Sequence, residues 1–579
     1  MSARGFLAMS SRRAQGVPEG FIARARIRGY VSIYTDPNNA VMVSTDTNVT
    51  SFAETCGFII GHVLGGAAAL KEARRPDFGR TSVEEYIVGS IWGGYSSIFK
   101  SVNEKGLKIL ADPSGTVPIY YCQTEPGTIL VGTNAKDIES VAGKKFVPDW
   151  SCIHRHLLSP QMRSSRTSLA DLYELLPGHC LALADGSTRM VWSPWTFAHP
   201  DRFITDVGAA SELIRDTVRR AIGAWTKPFD NILIGLSGGL DSSIIASCVA
   251  SSGHDSATCL TISSGVATGN EVGFAKSVTD FCGMALIEDY LDPADIDLDR
   301  SAAAHCPRPL GRTFTQSVDA ISIRRARLLG VDAFFHGAGG DNVFGYLTSV
   351  APVLDYLMRG DNWVGSWKVL RDLSILTGAD MGTAALITAR RLMSRRFHFS
   401  LSNDASFLLE SPGGIDLSDI HPWLRPPRGI LPGSAAHVML ISSIYNYLEG
   451  TQRELHAPLI APLMAQPIIE ACLSIPSWMW LRDGRNRAMA RRAFAADLPR
   501  KIIERQSKGT PDGFSIKYFE NNRDAILERL MDGPLAQQGV IDKKAIAAAF
   551  QSRGPEMGFR RNRLLLLCDT NAWASSWIS

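Results

Sequence analysis

The hydrophobic rhythm of the chain changes once, near residue 205. Before that point apolar residues come in short runs separated by turn signals. Residues 29–35 and 40–44 read as strands flanking Asp36-Pro37-Asn38-Asn39, and 85–100, 107–111, 118–122 and 128–132 continue the pattern. Asp112-Pro113-Ser114-Gly115 is a further turn, Pro177-Gly178 leads into a strand over 179–183, and 192–195 closes the region. This spacing predicts two packed sheets in one α+β domain over 1–205. Beyond it, helical and strand patterns alternate: a helix over 209–224, then strands over 231–235, 257–263, 285–289 and 332–336. Helices over 242–250, 270–283 and 317–329 separate those strands. Such alternation predicts a parallel, doubly wound α/β sheet that binds ligands at the carboxyl ends of its strands. From residue 349 the pattern is mostly helical, broken by His421-Pro422-Trp423 and Pro426-Pro427-Arg428. The expected second domain therefore spans 206–579, a doubly wound sheet with a helical extension.

Composition narrows the class. The chain has 579 residues, 45% hydrophobic and 20% charged, enough for large cores. A net charge of +3 argues against a general nucleic-acid binder and leaves room for a local basic site. The ten cysteines include no C-x-x-C pair, which predicts reduced, buried thiols and a cytoplasmic address. The first residues lack an apolar core long enough for a signal peptide, and the apolar stretch 56–70 is too short to cross a bilayer, so no membrane partner is expected.

The strand over 231–235 feeds Leu236-Ser237-Gly238-Gly239-Leu240-Asp241-Ser242, a glycine turn ahead of a helix. Unpaired N–H groups and a partial positive charge make such a helix start an anion site. Gly238 and Gly239 allow close approach to a ligand, and Ser237, Ser242 and Ser243 add hydroxyl donors. The string is neither a Walker A loop nor a dinucleotide fingerprint. After the strand over 332–336 comes a second glycine turn with an aspartate, Gly337-Ala338-Gly339-Gly340-Asp341. Two strands of one parallel sheet would bring Asp241 and Asp341 to one crevice, and two carboxylates with triphosphate oxygens suit Mg²⁺. Between Arg482 and Lys508 nine basic residues face three acidic ones, an excess that fits a polyanion; about half of them are expected on a solvated helix face. Phe494 alone is aromatic there, which weakens a nucleic-acid reading.

Together these residues resemble the asparagine synthetase superfamily of ATP-pyrophosphatases. Residues 237–242 look like its pyrophosphate loop, 337–341 like its second metal-binding loop, and 458–476, 483–494 and 498–508 like its carboxyl-terminal helices and catalytic lysine segment. The early region is similar to its glutaminase domain, an Ntn-type sandwich. Glutamine-dependent relatives carry Cys after the initiator Met; here position 2 is Ser, so the resemblance implies a degenerate glutaminase domain. Asparagine synthetases have Glu where this chain has Ala338, and the Tyr/Glu pair of β-lactam-forming relatives has no evident counterpart. Gly-Gly-Asp-Asn-Val-Phe from Gly339, Arg-Asn-Arg-Ala-Met-Ala-Arg-Arg-Ala-Phe from Arg485 and Ser507-Lys508-Gly509 look most like lasso peptide cyclases, macrolactam synthetases of ribosomal peptide biosynthesis. That resemblance implies ATP and Mg²⁺ as cofactors and a nucleotide site of Leu236, Ser237, Gly238, Gly239, Asp241, Ser242, Ile262 and Gly337, with Leu236, Ile262 and Gly337 at the adenine. It makes Asp241 and Asp341 the metal ligands and Lys508 the catalytic cation, with Glu271 resembling a family acidic position. It also implies a linear precursor peptide as substrate, and a leader peptidase and a leader-binding protein as partners. Ammonia-dependent asparagine synthesis, β-lactam closure and a non-catalytic RNA- or peptide-binding scaffold stand as alternatives.

Overall fold

The computed structural model describes residues 5–13, 16–52, 57–66, 82–100, 106–265, 271–359, 363–394, 403–410, 420–506, 512–551 and 557–578. Its strands are β1 (Phe6–Ser11), β2 (Tyr30–Asp36), β3 (Asn39–Ser44), β4 (Val49–Ser51), β5 (Gly57–Gly65), β6 (Trp92–Lys100), β7 (Leu107–Ala111), β8 (Tyr120–Glu125), β9 (Thr128–Gly132), β10 (Tyr173–Glu174), β11 (His179–Ala182) and β12 (Thr188–Met190). They form two antiparallel sheets, ordered β10-β8-β9-β1-β3-β2 and β12-β11-β7-β6-β5-β4. β13 (Ile232–Gly235), β14 (Ala257–Ser263), β15 (Ala285–Tyr290), β16 (Ala333–His336) and β17 (Leu459–Ile460) make a third sheet, ordered β15-β14-β13-β16-β17 and parallel throughout.

The first two sheets stack face to face. Phe6, Ala8, Val41 and Val43 of one meet Ile60, Ile98, Ile109 and Leu181 of the other. The alternate residues Leu7 and Met9 point the opposite way, into a core shared with helices at 135–142 and 150–158. β1 is thus apolar on both faces, which explains why period-two alternation did not reveal it. The expected strand over 85–100 divides in two. Ser82 and Glu85 form a reciprocal capping box that starts a helix over Val83–Ser90, and only Trp92–Lys100 is strand.

The sequence boundary near 205 separates the antiparallel sheets from the parallel one, yet the cores do not respect it. Phe519, Ile526, Leu530, Trp573 and Trp577, on the last helices, pack beneath the first sheet with Ile138 and Phe146. Lys136 Nζ sits 3.3 Å from the ring centre of Trp577. On the other side Ile59, Tyr95 and Trp192 share a core with Trp225, Ile234 and Ile468. The nine described cysteines are free, and eight are buried. Among the described residues no helix is long and apolar enough to cross a membrane.

Candidate functional site

β13 and β16 lie side by side with Gly235 opposite His336, and their chains continue into the two glycine turns. The strand order reverses here, since β14 and β15 lie to one side and β16 and β17 to the other. At such a switch point the carboxyl-end loops diverge and leave a crevice. A cleft of about 490 Å³ occupies it. A second cavity of similar volume lies at the opposite, amino ends of the strands, near Asn231, Ala257, Ala285 and Val331, away from both loops.

Ser237, Gly239, Asp241, Ser242, Gly337 and Asp341 all line the cleft. The helix after β13 begins one residue before Asp241, at Leu240, and runs to Ser251. Asp241 therefore sits in the first helical turn, where the helix dipole favours its charge. Gly238 has φ +65°, and a Cβ there would lie 2.5 Å from Phe274; the residue faces the helix Val272–Cys282. Gly340 packs so closely that a Cβ would lie 2.2 Å from Asp241 Cγ, so the two loops touch. Leu236 is buried in the core, and Ile262 packs against the cluster of Leu233, Leu260 and Phe334; neither lines the cleft. Lys508 lies outside the described residues, as do Ser507, Gly509 and Ser2; Gln506, the last described residue before Ser507, lines the cleft.

Asp241 and Asp341 meet through a residue that spacing alone did not single out. Arg487 Nη1 donates to Asp241 at 3.0 and 2.9 Å and lies 2.7 Å from Asp341 Oδ1. Arg487 itself has φ +52°, at the start of the helix Ala488–Ala493. Arg505 grips the first glycine loop: it donates to the Ser237 and Gly238 carbonyls, pairs with Glu271 at 3.2 Å and lies over the Phe274 ring. Glu271 thus stands at the head of its helix, held to Arg505. Arg491 is buried and donates to the carbonyls of Asn486, Ile503 and Arg505. Burial, then the charges of Arg487 and Arg485, bring its pKa down to about 10, so it stays cationic at neutral pH. The basic run divides as its composition suggested, with Arg487, Arg491 and Arg505 turned inward and Arg482, Arg492, Arg500 and Lys501 exposed.

The far wall was not legible in sequence. Arg312, Tyr447, Thr451 and Arg453 line it. Arg312 donates to the carbonyls of Asn446 and Glu449 and lies over the Tyr447 ring. Arg453 is paired with buried Asp319 at 3.5 Å. His336, at the end of β16, also lines the cleft. Burial, with Arg453 and Arg312 nearby, pushes its pKa to about 3, so it stays neutral.

The site fits a nucleotide with a divalent ion. Asp241 and Asp341 converge on Arg487 Nη1, and their hard carboxylate oxygens are the donor type Mg²⁺ prefers, with phosphate oxygens and waters to complete its shell. His336 and Arg312 line the cleft, and His336 Nε2 and Arg312 Nε are buried without a protein hydrogen-bond partner.

A carboxyethyl-arginine beta-lactam-synthase from Streptomyces clavuligerus is 30% identical over 189 residues, which is 31% of this chain and 33% of that one. The chain thus matches about a third of the length of that curated relative. Among solved structures, a glutamine phosphoribosylpyrophosphate amidotransferase from B. subtilis, complexed with ADP and GMP, has 10% identity and a TM-score of 0.23. That match covers 57% of this chain and 90% of the other. A structure titled as the allosteric regulatory enzyme of purine biosynthesis has 12% identity and a TM-score of 0.20, covering 51% and 76%. The family model described as asparagine synthase matches residues 213–577, which hold both glycine loops, the Arg487 bridge and the far wall. With well over half of its length inside that match, the chain belongs to the asparagine synthase family.

Proposed function

We propose that the protein is an ATP-dependent, AMP-forming carbon–nitrogen ligase that closes a macrolactam on a linear peptide, a lasso peptide cyclase. The observation that carries the ligase reading is the meeting of the two glycine loops at the switch point, with Asp241 and Asp341 joined by Arg487. The peptide reading rests on the resemblance of 339–344, 485–494 and 507–509 and on a cleft whose far wall is cationic and aromatic.

A carboxylate does not condense with an amine in neutral water, because its oxygen is a poor leaving group. In the first half-reaction an Asp or Glu side-chain oxygen of the peptide bonds to the α-phosphorus of ATP, and the bond to pyrophosphate breaks. In the second, the peptide's amino-terminal nitrogen bonds to the acyl carbon, the bond to AMP breaks, and the nitrogen gives up a proton. Asp241 and Asp341 would hold Mg²⁺, which supplies charge neutralisation on the phosphates. The helix start at Leu240, Ser237 and Ser242 present donors to the pyrophosphate end, and Arg487, Arg491 and Arg505 surround it with positive charge. Lys508 is proposed to stabilise the charged oxygens of both steps. Substrate-specific partners on this reading are a leader peptidase and a leader-binding protein.

Closure of a β-lactam by the same two half-reactions is the second reading, favoured by the Streptomyces clavuligerus relative. Purified protein with ATP, Mg²⁺ and a linear core peptide should release AMP and pyrophosphate and yield a product one water lighter than the peptide. Asp241→Ala should abolish this while the fold persists. AMP formation that depends on a small amino acid and ignores peptides would overturn the cyclase reading and keep the ligase reading.

A further inference from the structure

Behind the far wall of the cleft, three side chains of metal-binding type come together. His305, Cys306 and Glu454 each place one ligand atom within 4.8 Å of the others. None belongs to the nucleotide site. His305 and Cys306 lie in the turns between β15 and the helix Thr315–Leu329, and Glu454 lies in the single turn Arg453–Leu455.

Cys306 and Glu454 are held by the surrounding chain, whereas His305 contacts Glu454 itself. The Cys306 amide donates to Ala303, and its carbonyl accepts from Trp573 Nε1 at 2.9 Å. Glu454 accepts from the Gly450 amide at 2.9 Å and from Thr451 Oγ1 at 3.2 Å. His305 Nε2 lies 2.5 Å from Glu454 Oε1. Such outer hydrogen bonds orient ligands in metal sites. Cys306 is buried, whereas the His305 and Glu454 side chains are 18% and 19% exposed, which leaves one side open to water.

We propose that His305, Cys306 and Glu454 bind Zn²⁺, with water in a fourth position. Thiolate, imidazole and carboxylate form a donor set for zinc rather than for Mg²⁺ or Ca²⁺. At zinc bond lengths the ligand atoms stand roughly 3.3–3.7 Å apart in a tetrahedron. Reaching that needs the His305–Glu454 contact to open and the most distant pair to close by at most about an ångström, within the range of side-chain rotation. Binding replaces one thiol proton and the proton shared by His305 and Glu454, and the ion's two charges balance thiolate and carboxylate. The ion would fasten the Gly450–Glu454 turn to the segment carrying Cys306, and so fix the cleft residues Thr451 and Arg453.

The test uses the full chain without ATP or peptide. After chelator treatment, Co²⁺ is titrated in and the cobalt–thiolate charge-transfer absorption is read, followed by displacement with Zn²⁺. One equivalent should give the band. Cys306→Ser should abolish it, and Cys282→Ser, at a half-buried thiol elsewhere, should leave it unchanged. Glu454→Gln should weaken Zn²⁺ affinity by more than about tenfold. Circular dichroism of the metal-free variants checks folding. No band in the wild-type chain, or a band that survives in folded Cys306→Ser, overturns the proposal. Neither result bears on ligase activity, which is read with Mg²⁺, ATP and peptide.

Discussion

Replacing Arg487 by methionine tests whether the two aspartates share one electrostatic site. The substitution keeps most of the side-chain length and removes three charge-assisted contacts: 3.0 and 2.9 Å to Asp241 and 2.7 Å to Asp341. Asp241 and Asp341 then repel across a partly buried cleft. Breaking a fully buried pair costs about 3–5 kcal/mol, and an exposed one about 0–1. Here the side chains are 15%, 14% and 34% exposed. An intermediate loss of about 2 kcal/mol follows. Unfolding entropy scales with length, so a chain of 579 residues with shared cores should lose about 1.5–2 °C in Tm. The assay is calorimetry with chelator and with Mg²⁺. In the variant, Mg²⁺ at about ten times its Kd should restore about 1.4 kcal/mol. In the wild type it should give less, because Arg487 must first leave the carboxylates. ATP–pyrophosphate exchange should fall about 10²–10³-fold, as when a charge-stabilising donor is lost. A variant that melts with the wild type in chelator and gains nothing from Mg²⁺ would refute the coupling.

Gly339→Ala forces a side chain onto φ +91° and places its Cβ 2.5 Å from Met464 Sδ. It should displace Asp341 and cut exchange activity at least about tenfold, since small misplacements carry such costs. Gly330→Ala, at φ +63° in open space, should lower Tm slightly and leave exchange unchanged. Arg163→Met removes the cation shared by Glu449 and Glu174 between the two halves, where the side chains are 5%, 11% and 3% exposed, and leaves Glu174 with Arg308 at 2.6 Å. Denaturant unfolding should show a loss of about 3–5 kcal/mol, and a loss under 1 would contradict the buried pairing. His437 donates from Nε2 to the Val343 carbonyl at 3.0 Å, and burial pushes its pKa to about 4. A depressed histidine keeps its stabilising neutral form above about pH 6.5, and that stability is lost as pH falls toward 4. At pH 5 the loss from His437 is about 2 kcal/mol, so His437→Asn should flatten the stability–pH curve between pH 5 and 7; an unchanged slope would disprove the assignment.

The strand–loop–helix around Asp241 was legible because a central parallel strand, covered on both faces, leaves an unbroken apolar run bounded by glycine. The same double coverage hid β1, whose Phe6 and Leu7 serve different cores. The capping box at Ser82 and Glu85 was readable in principle and was overridden by the apolar residues after it. For Asp241 and Asp341, neighbouring strands in one sheet sufficed to bring them together. Arg487 could be noticed only as part of a charged run, because its choice of partner depends on a left-handed backbone turn. Arg312, Tyr447, Thr451 and Arg453 carried no local signal; they meet because distant elements fold over the β16 end.

One short segment joins most of what the molecule does. Tyr445 bonds the Pro113 carbonyl through its hydroxyl, and Arg163 reaches the Tyr445 carbonyl. Glu449 accepts from Tyr120 and Arg163, while Tyr447, Thr451 and Arg453 face the cleft. The antiparallel sandwich therefore acts as a jig for the chamber's roof, a task that needs no catalytic residue of its own. Selection on the roof's shape would preserve the sandwich whatever chemistry it carries. A truncation that keeps every active-site residue but discards the sandwich would yield a chamber with all its tools and no fixed ceiling.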